Sequence, residues 1–78
     1  MALETTHHGY PILRKSKVKE AGNGLLPRAV VLVMTKSNEE FVTWQCALCH
    51  GAWRYFWGHY FSDLGMALDD FTKREEAL

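Results

Sequence analysis

FVTWQCALCHGAWRYFWGHYF, residues 41–61, holds both cysteines and all three tryptophans of a 78-residue chain. Aromatic and β-branched residues lie on either side of His50-Gly51, a pair suited to the positive φ angles of a two-residue hairpin turn. The pattern predicts two antiparallel strands, Glu40 to Leu48 and Trp53 to Tyr60. Symmetric folding about the turn sets Trp44 opposite Trp57, Cys46 opposite Tyr55 and Val42 opposite His59, all on one face. Phe41, Thr43, Gln45, Phe56 and Tyr60 fall on the other face. A one-residue slip would exchange the faces of a strand.

Working outward, Arg28 to Thr35 is a valine-rich strand bounded by Pro27 and by Lys36-Ser37-Asn38. A turn at Ser37-Asn38 adds Val31 and Val33 to the Trp44 face, and Val30, Leu32 and Met34 to the Phe41 face. Further back, Tyr10 to Leu13 leads into a lysine-rich stretch that suits an edge strand, since Pro11 and the lysines discourage pairing with another chain. Glu20 to Gly24 is a turn. After the hairpin, Leu64, Ala67, Leu68 and Phe71 recur at helical spacing. That spacing predicts a helix over 63–76, with Ser62 as its N-cap and Lys73 and Arg74 near its carboxyl end. The expected fold is α+β: a four-stranded antiparallel meander followed by one C-terminal amphipathic helix. Residues 1–9 form a flexible start and 10–78 a single domain.

Composition narrows the function. Hydrophobic residues make up 47% of the chain, too many for a disordered tail. The longest apolar run, Ala29 to Met34, is too short to span a bilayer. Two cysteines do not make a disulfide framework, and no signal-peptide pattern is visible, so the expectation is a cytoplasmic protein with no membrane role. Net charge is zero, but residues 1–38 hold six Lys/Arg against two Glu, and residues 39–78 hold three Lys/Arg against seven Asp/Glu. Such a charge dipole favours self-association and offers one basic edge to nucleic acid.

A single helix covers one sheet face. The Trp44/Trp57 face has the larger rings to bury, so the helix is expected there. Val30, Leu32, Met34, Phe41, Phe56 and Tyr60 would then face solvent, a patch larger than monomers leave uncovered. Either the 15–28 segment folds across this patch or another protein does, and the second option makes it the candidate surface for a second copy (a homodimer) or a host protein. The nucleic-acid alternative places Arg14, Lys15, Lys17, Lys19 and Arg28 on phosphates, with Tyr10 or Tyr55 stacking on bases.

Cys46-Ala47-Leu48-Cys49-His50-Gly51 resembles half of a zinc knuckle, which His7, His8 or His50 would have to complete. The simpler reading makes Cys46 a small core residue and Cys49 an idle turn thiol, with no cofactor. Haem attachment and thioredoxin-like chemistry lack their required contexts. His59, Tyr60, Ser62 and Asp63 crowd the strand-to-helix junction, but bend and capping roles account for them. No phosphate loop, nucleophile motif or paired carboxylates appear, so enzymatic activity is not expected.

Phe41-Val-Thr-Trp44, Trp57-Gly-His-Tyr-Phe61, Ala67-Leu-Asp-Asp-Phe71 and Arg74 together resemble small uncharacterised proteins of actinobacteria and their phages. The resemblance covers about the last half of the chain. It implies an accessory protein, phage-encoded in some cases, and it does not require the cysteines.

Overall fold

The computed structural model describes residues 3, 5–22, 24–35 and 40–78. Its elements are β1 (Thr6–His7), β2 (Tyr10–Lys15), β3 (Arg28–Thr35), β4 (Glu40–Cys49), β5 (Ala52–Phe61) and α1 (Leu64–Glu76). The strands form one antiparallel sheet in the order β1-β2-β3-β4-β5. The architecture is thus a meander followed by a helix, with five strands rather than the expected four. The additional strand lies in the segment read as a loose start. His8 and Gly9, at φ 52 and 82, make a two-residue turn that pairs Thr6 with Pro11 and His7 with Tyr10. A strand of two residues has no period for sequence reading to detect.

At the other hairpin, His50 and Gly51 turn at φ 50 and 79, and Cys46 pairs with Tyr55 as expected. The register then slips. Gln45 pairs with Phe56, but Thr43 pairs with His59, so Trp57 and Gly58 together stand opposite Trp44. This β-bulge carries Trp57 at φ 56 and exchanges the faces of everything beyond it. Val42 therefore pairs with Tyr60, not His59, and Tyr60 joins the Trp44 face while His59 and Phe61 move to the Phe41 face. Gly58 lies in the bulge rather than at the strand-to-helix junction. It leaves room for the Trp44 ring, which lies over it. β3 pairs with β4 as the alternation predicts, from Arg28 with Ala47 to Thr35 with Glu40. The turn expected at Ser37-Asn38 lies outside the described residues.

Each sheet face has its own core. On one, Ala29, Val31, Val33, Cys46 and Trp53 are buried beneath Leu3, Ile12 and Val18. The His7 ring lies 4.1 Å from Tyr55 and 5.4 Å from Trp44, centroid to centroid. In a flat sheet four strand spacings would separate β1 from β5 by roughly 19 Å. The sheet must therefore curl until its amino-terminal hairpin closes over this face. On the other face Val30, Leu32 and Phe41 pack against Ala67 and Phe71 of α1. The helix thus covers the Phe41 face, opposite to expectation, because the hairpin of β1 and β2 already fills the Trp44 face. Asp63, not Ser62, caps the helix, accepting a hydrogen bond from Met66 N at 3.0 Å.

Candidate functional site

Register fixes which side chains share the helix-bearing face of β3, β4 and β5. Four rows cross it: Arg28, Ala47 and Arg54; Val30, Gln45 and Phe56; Leu32, Thr43 and His59; Met34, Phe41 and Phe61. The helix lies over the last two rows and over Val30. It does not reach Arg28, Gln45, Ala47, Arg54 or Phe56, of which Ala47 is buried by its neighbours and Arg54 is exposed.

Beside these residues stand Leu25, which is paired with Gly22 through two backbone hydrogen bonds, Leu26 after it, and Trp57, thrown outward by the bulge. Leu25, Leu26, Phe56 and Trp57 wall an open groove of about 290 Å3, with Gln45 and Ala47 in its floor and Arg28 at one side. Trp57 is 68% exposed and Leu25 52%. The Phe56 and Trp57 rings meet edge to face at 4.8 Å, a contact that leaves most of the Trp57 indole exposed. An indole so exposed beside two exposed leucines is an apolar patch of the kind that marks an interaction site.

The residues expected to bind a partner separate into three groups. Val30, Leu32 and Phe41 are buried beneath α1, and Met34 packs half-buried against the same cluster. Tyr60 is exposed on the opposite face, its ring edge-on to Trp44 at 5.9 Å. Only Phe56 lies at the groove. The expected patch assumed an unbroken register and a helix on the Trp44 face, and neither holds. Leu25, Leu26 and Trp57 were missed. Two adjacent leucines between Gly24 and Pro27, and a glycine inside an aromatic strand, were the available signals.

The basic segment is also divided. Arg14 lies 5.8 Å from the centre of the Phe71 ring, and Lys15 pairs with Val31 on the sheet. Lys17 and Lys19 line a cavity of about 440 Å3 with Glu75 and Glu76 of α1, so acidic groups of the same molecule face them. Tyr10 is exposed, whereas Tyr55 lies under His7. Only Arg28 reaches the groove.

The zinc half-site is not assembled. Cys46 and Cys49 both lie on β4, and a spacing of three on a strand turns their side chains to opposite faces. Cys46 is buried, its thiol 3.4 Å from the Ala29 carbonyl oxygen, while Cys49 is half-buried. His7 packs on aromatic rings, and His8 and His50 are turn residues. Among the described residues no group of three or more His, Cys, Asp or Glu side chains is placed to hold a metal ion.

One polar cluster ties the sheet to the helix. Asp70 Oδ2 accepts from the hydroxyl of fully buried Thr43 and lies 2.9 Å from His59 Nδ1. Arg74 donates to the Thr43 carbonyl oxygen at 3.0 Å and to its hydroxyl at 3.1 Å. Burial pushes the Asp70 pKa up, but the hydrogen bonds from Thr43 and His59 and the charges of His59 and Arg74 outweigh it and hold it below the ordinary value. Of the junction residues His59, Tyr60, Ser62 and Asp63, only His59 joins this cluster. Its geometry is that of a clamp between β4, β5 and α1.

Comparison with known proteins gives no match to a family model, a curated protein or a solved structure. No described helix is long and apolar enough to cross a membrane. The functional reading accordingly rests on the groove.

Proposed function

We propose that this protein is a non-enzymatic interaction module that binds another protein through the groove between Leu25, Leu26, Phe56 and Trp57. The observation that carries this reading is the 68% exposure of Trp57 on the wall of an apolar groove. Trp and Phe bury large area at small rotamer cost, and a tryptophan seated in a partner is a common energetic centre of an interface. At about 290 Å3 the groove is at the lower end of small-molecule sites but ample for one or two inserted side chains. A nucleic-acid role fits less well, since Lys17 and Lys19 face Glu75 and Glu76 and the net charge is zero.

The test replaces Trp57 with a photo-crosslinking phenylalanine analogue in the source cells, with exposed Thr72 as the control position. A discrete protein adduct from position 57, absent from position 72, is expected. Adducts to nucleic acid alone, or none from position 57, would refute the reading.

A further inference from the structure

The molecule carries a second exposed apolar feature, and it complements the first. At the amino half of α1, Met66 is 59% exposed on the outward face, while Leu64 lies about 200° round the helix from it, on the side of Ala67, Leu68 and Phe71. Residues 63–70 around them contain three aspartates and no Lys or Arg. Asp70 is taken up by Thr43 and His59, and Asp63 caps the helix, but Asp69 is exposed. The groove has the opposite sign. Arg28 lines it, Arg54 stands across Ala47 from Arg28 in the same row of the sheet, and among the described residues no acidic side chain lines the groove.

Building on the interaction reading above, we propose that the groove's occupant is a second copy of this chain, docked head to tail by the amino half of its α1. Met66 of one copy would enter between Leu25, Leu26 and Trp57 of the next, and methionine adapts readily to an irregular groove. Asp63 and Asp69 would then face Arg28 and Arg54, which fixes orientation and speeds encounter. Zero net charge leaves no overall repulsion between copies. Because the two patches come from different parts of the molecule, the contact is heterologous. Repeated head to tail it builds a ring or, where the rotation does not close, an open filament; made twice and reciprocally by two copies it becomes an isologous two-fold pair.

The experiment is sedimentation equilibrium of the full chain at low and high salt, with Arg54→Glu, Asp69→Arg and their equimolar mixture. Both sites are exposed, and circular dichroism verifies that each variant is folded. The wild type should associate more weakly as salt rises. Each variant alone should raise the dissociation constant about tenfold or more, since an attraction becomes a repulsion. The mixture should regain association, because each reversed site then meets an oppositely charged partner. A wild type that stays monomeric, or a mixture no more associated than its parts, overturns the proposal. If the position-57 adduct is then a different protein, the interaction reading survives and only the occupant is wrong. Oligonucleotide binding that Arg54→Glu abolishes, in a protein that stays monomeric, assigns the groove to nucleic acid and overturns the proposal.

Discussion

Gly58→Ala should destabilise the protein by about 1–3 kcal/mol, the range for overpacking a tight site. A Cβ at Gly58 would lie 2.6 Å from Trp44 Cζ3, 2.7 Å from Cη2 and 3.0 Å from Cε3. Carbon atoms pack best about 3.5–4.0 Å apart, so the methyl group overlaps the ring by roughly 1 Å. The ring has little freedom to yield, with His7 at 5.4 Å and Tyr60 at 5.9 Å, centroid to centroid. For a domain of this size each 1 kcal/mol corresponds to about 4–8 °C in Tm, so thermal and urea unfolding resolve the effect. The atoms that clash belong to the six-membered ring of the indole. In a Trp44→Phe background, which shortens the ring system, Gly58→Ala should therefore cost at least about 1 kcal/mol less. An alanine variant within about 0.5 kcal/mol of wild type, with no coupling to position 44, would refute both the ring placement and the bulge that creates it.

Two further substitutions test the clamp and the cysteines. Asp70→Asn should cost about 1–2 kcal/mol at neutral pH through weakened hydrogen bonds to Thr43 and His59. Because the folded pKa of Asp70 lies below the ordinary 3.8, its stabilisation is present above that value and is lost as pH falls through the folded pKa, so the gap between wild type and variant in urea titrations should close in acid; a gap unchanged down to pH values well below 3.8 would contradict this. Cys49 should react with a thiol reagent in the native protein and Cys46 only on unfolding, and Cys46→Ser should cost about 1 kcal/mol with Cys49→Ser nearly neutral. Stoichiometric zinc in protein purified without added metal would overturn that separation of the two thiols.

Alternation was enough to pair β3 with β4 and to set Cys46 opposite Tyr55, because each strand is pinned by a nearby turn or by many apolar positions. Helical spacing likewise placed α1 to within a residue at its start, although the cap moved from Ser62 to Asp63. Register information carries along a hairpin only until an extra residue intervenes. Trp57-Gly58 is that residue pair, and from it follow the positions of His59, Tyr60 and Phe61. The face covered by α1 was not legible for a different reason. It depends on which segment occupies the Trp44 face first, and that segment contains a two-residue strand with no sequence period.

The bulge and the helix placement are linked through shape. A bulge adds local twist and bend to β5, and the sheet curls far enough for the ring of His7 to reach Tyr55. Curling makes the Trp44 face concave. A short two-stranded hairpin can follow a concave surface, whereas a rigid helix roughly 10 Å across packs better on the convex side. There it finds Val30, Leu32 and Phe41, and the clamp of Thr43, His59, Asp70 and Arg74 holds it at that end of the sheet. The helix cannot also extend over Gln45 and Ala47 at the hairpin end without abandoning those bonds. The same bulge that turns His59 toward Asp70 therefore also leaves Trp57 outside. An apolar groove at the uncovered end is a consequence of how the helix is anchored, and filling it requires something other than the domain's own helix.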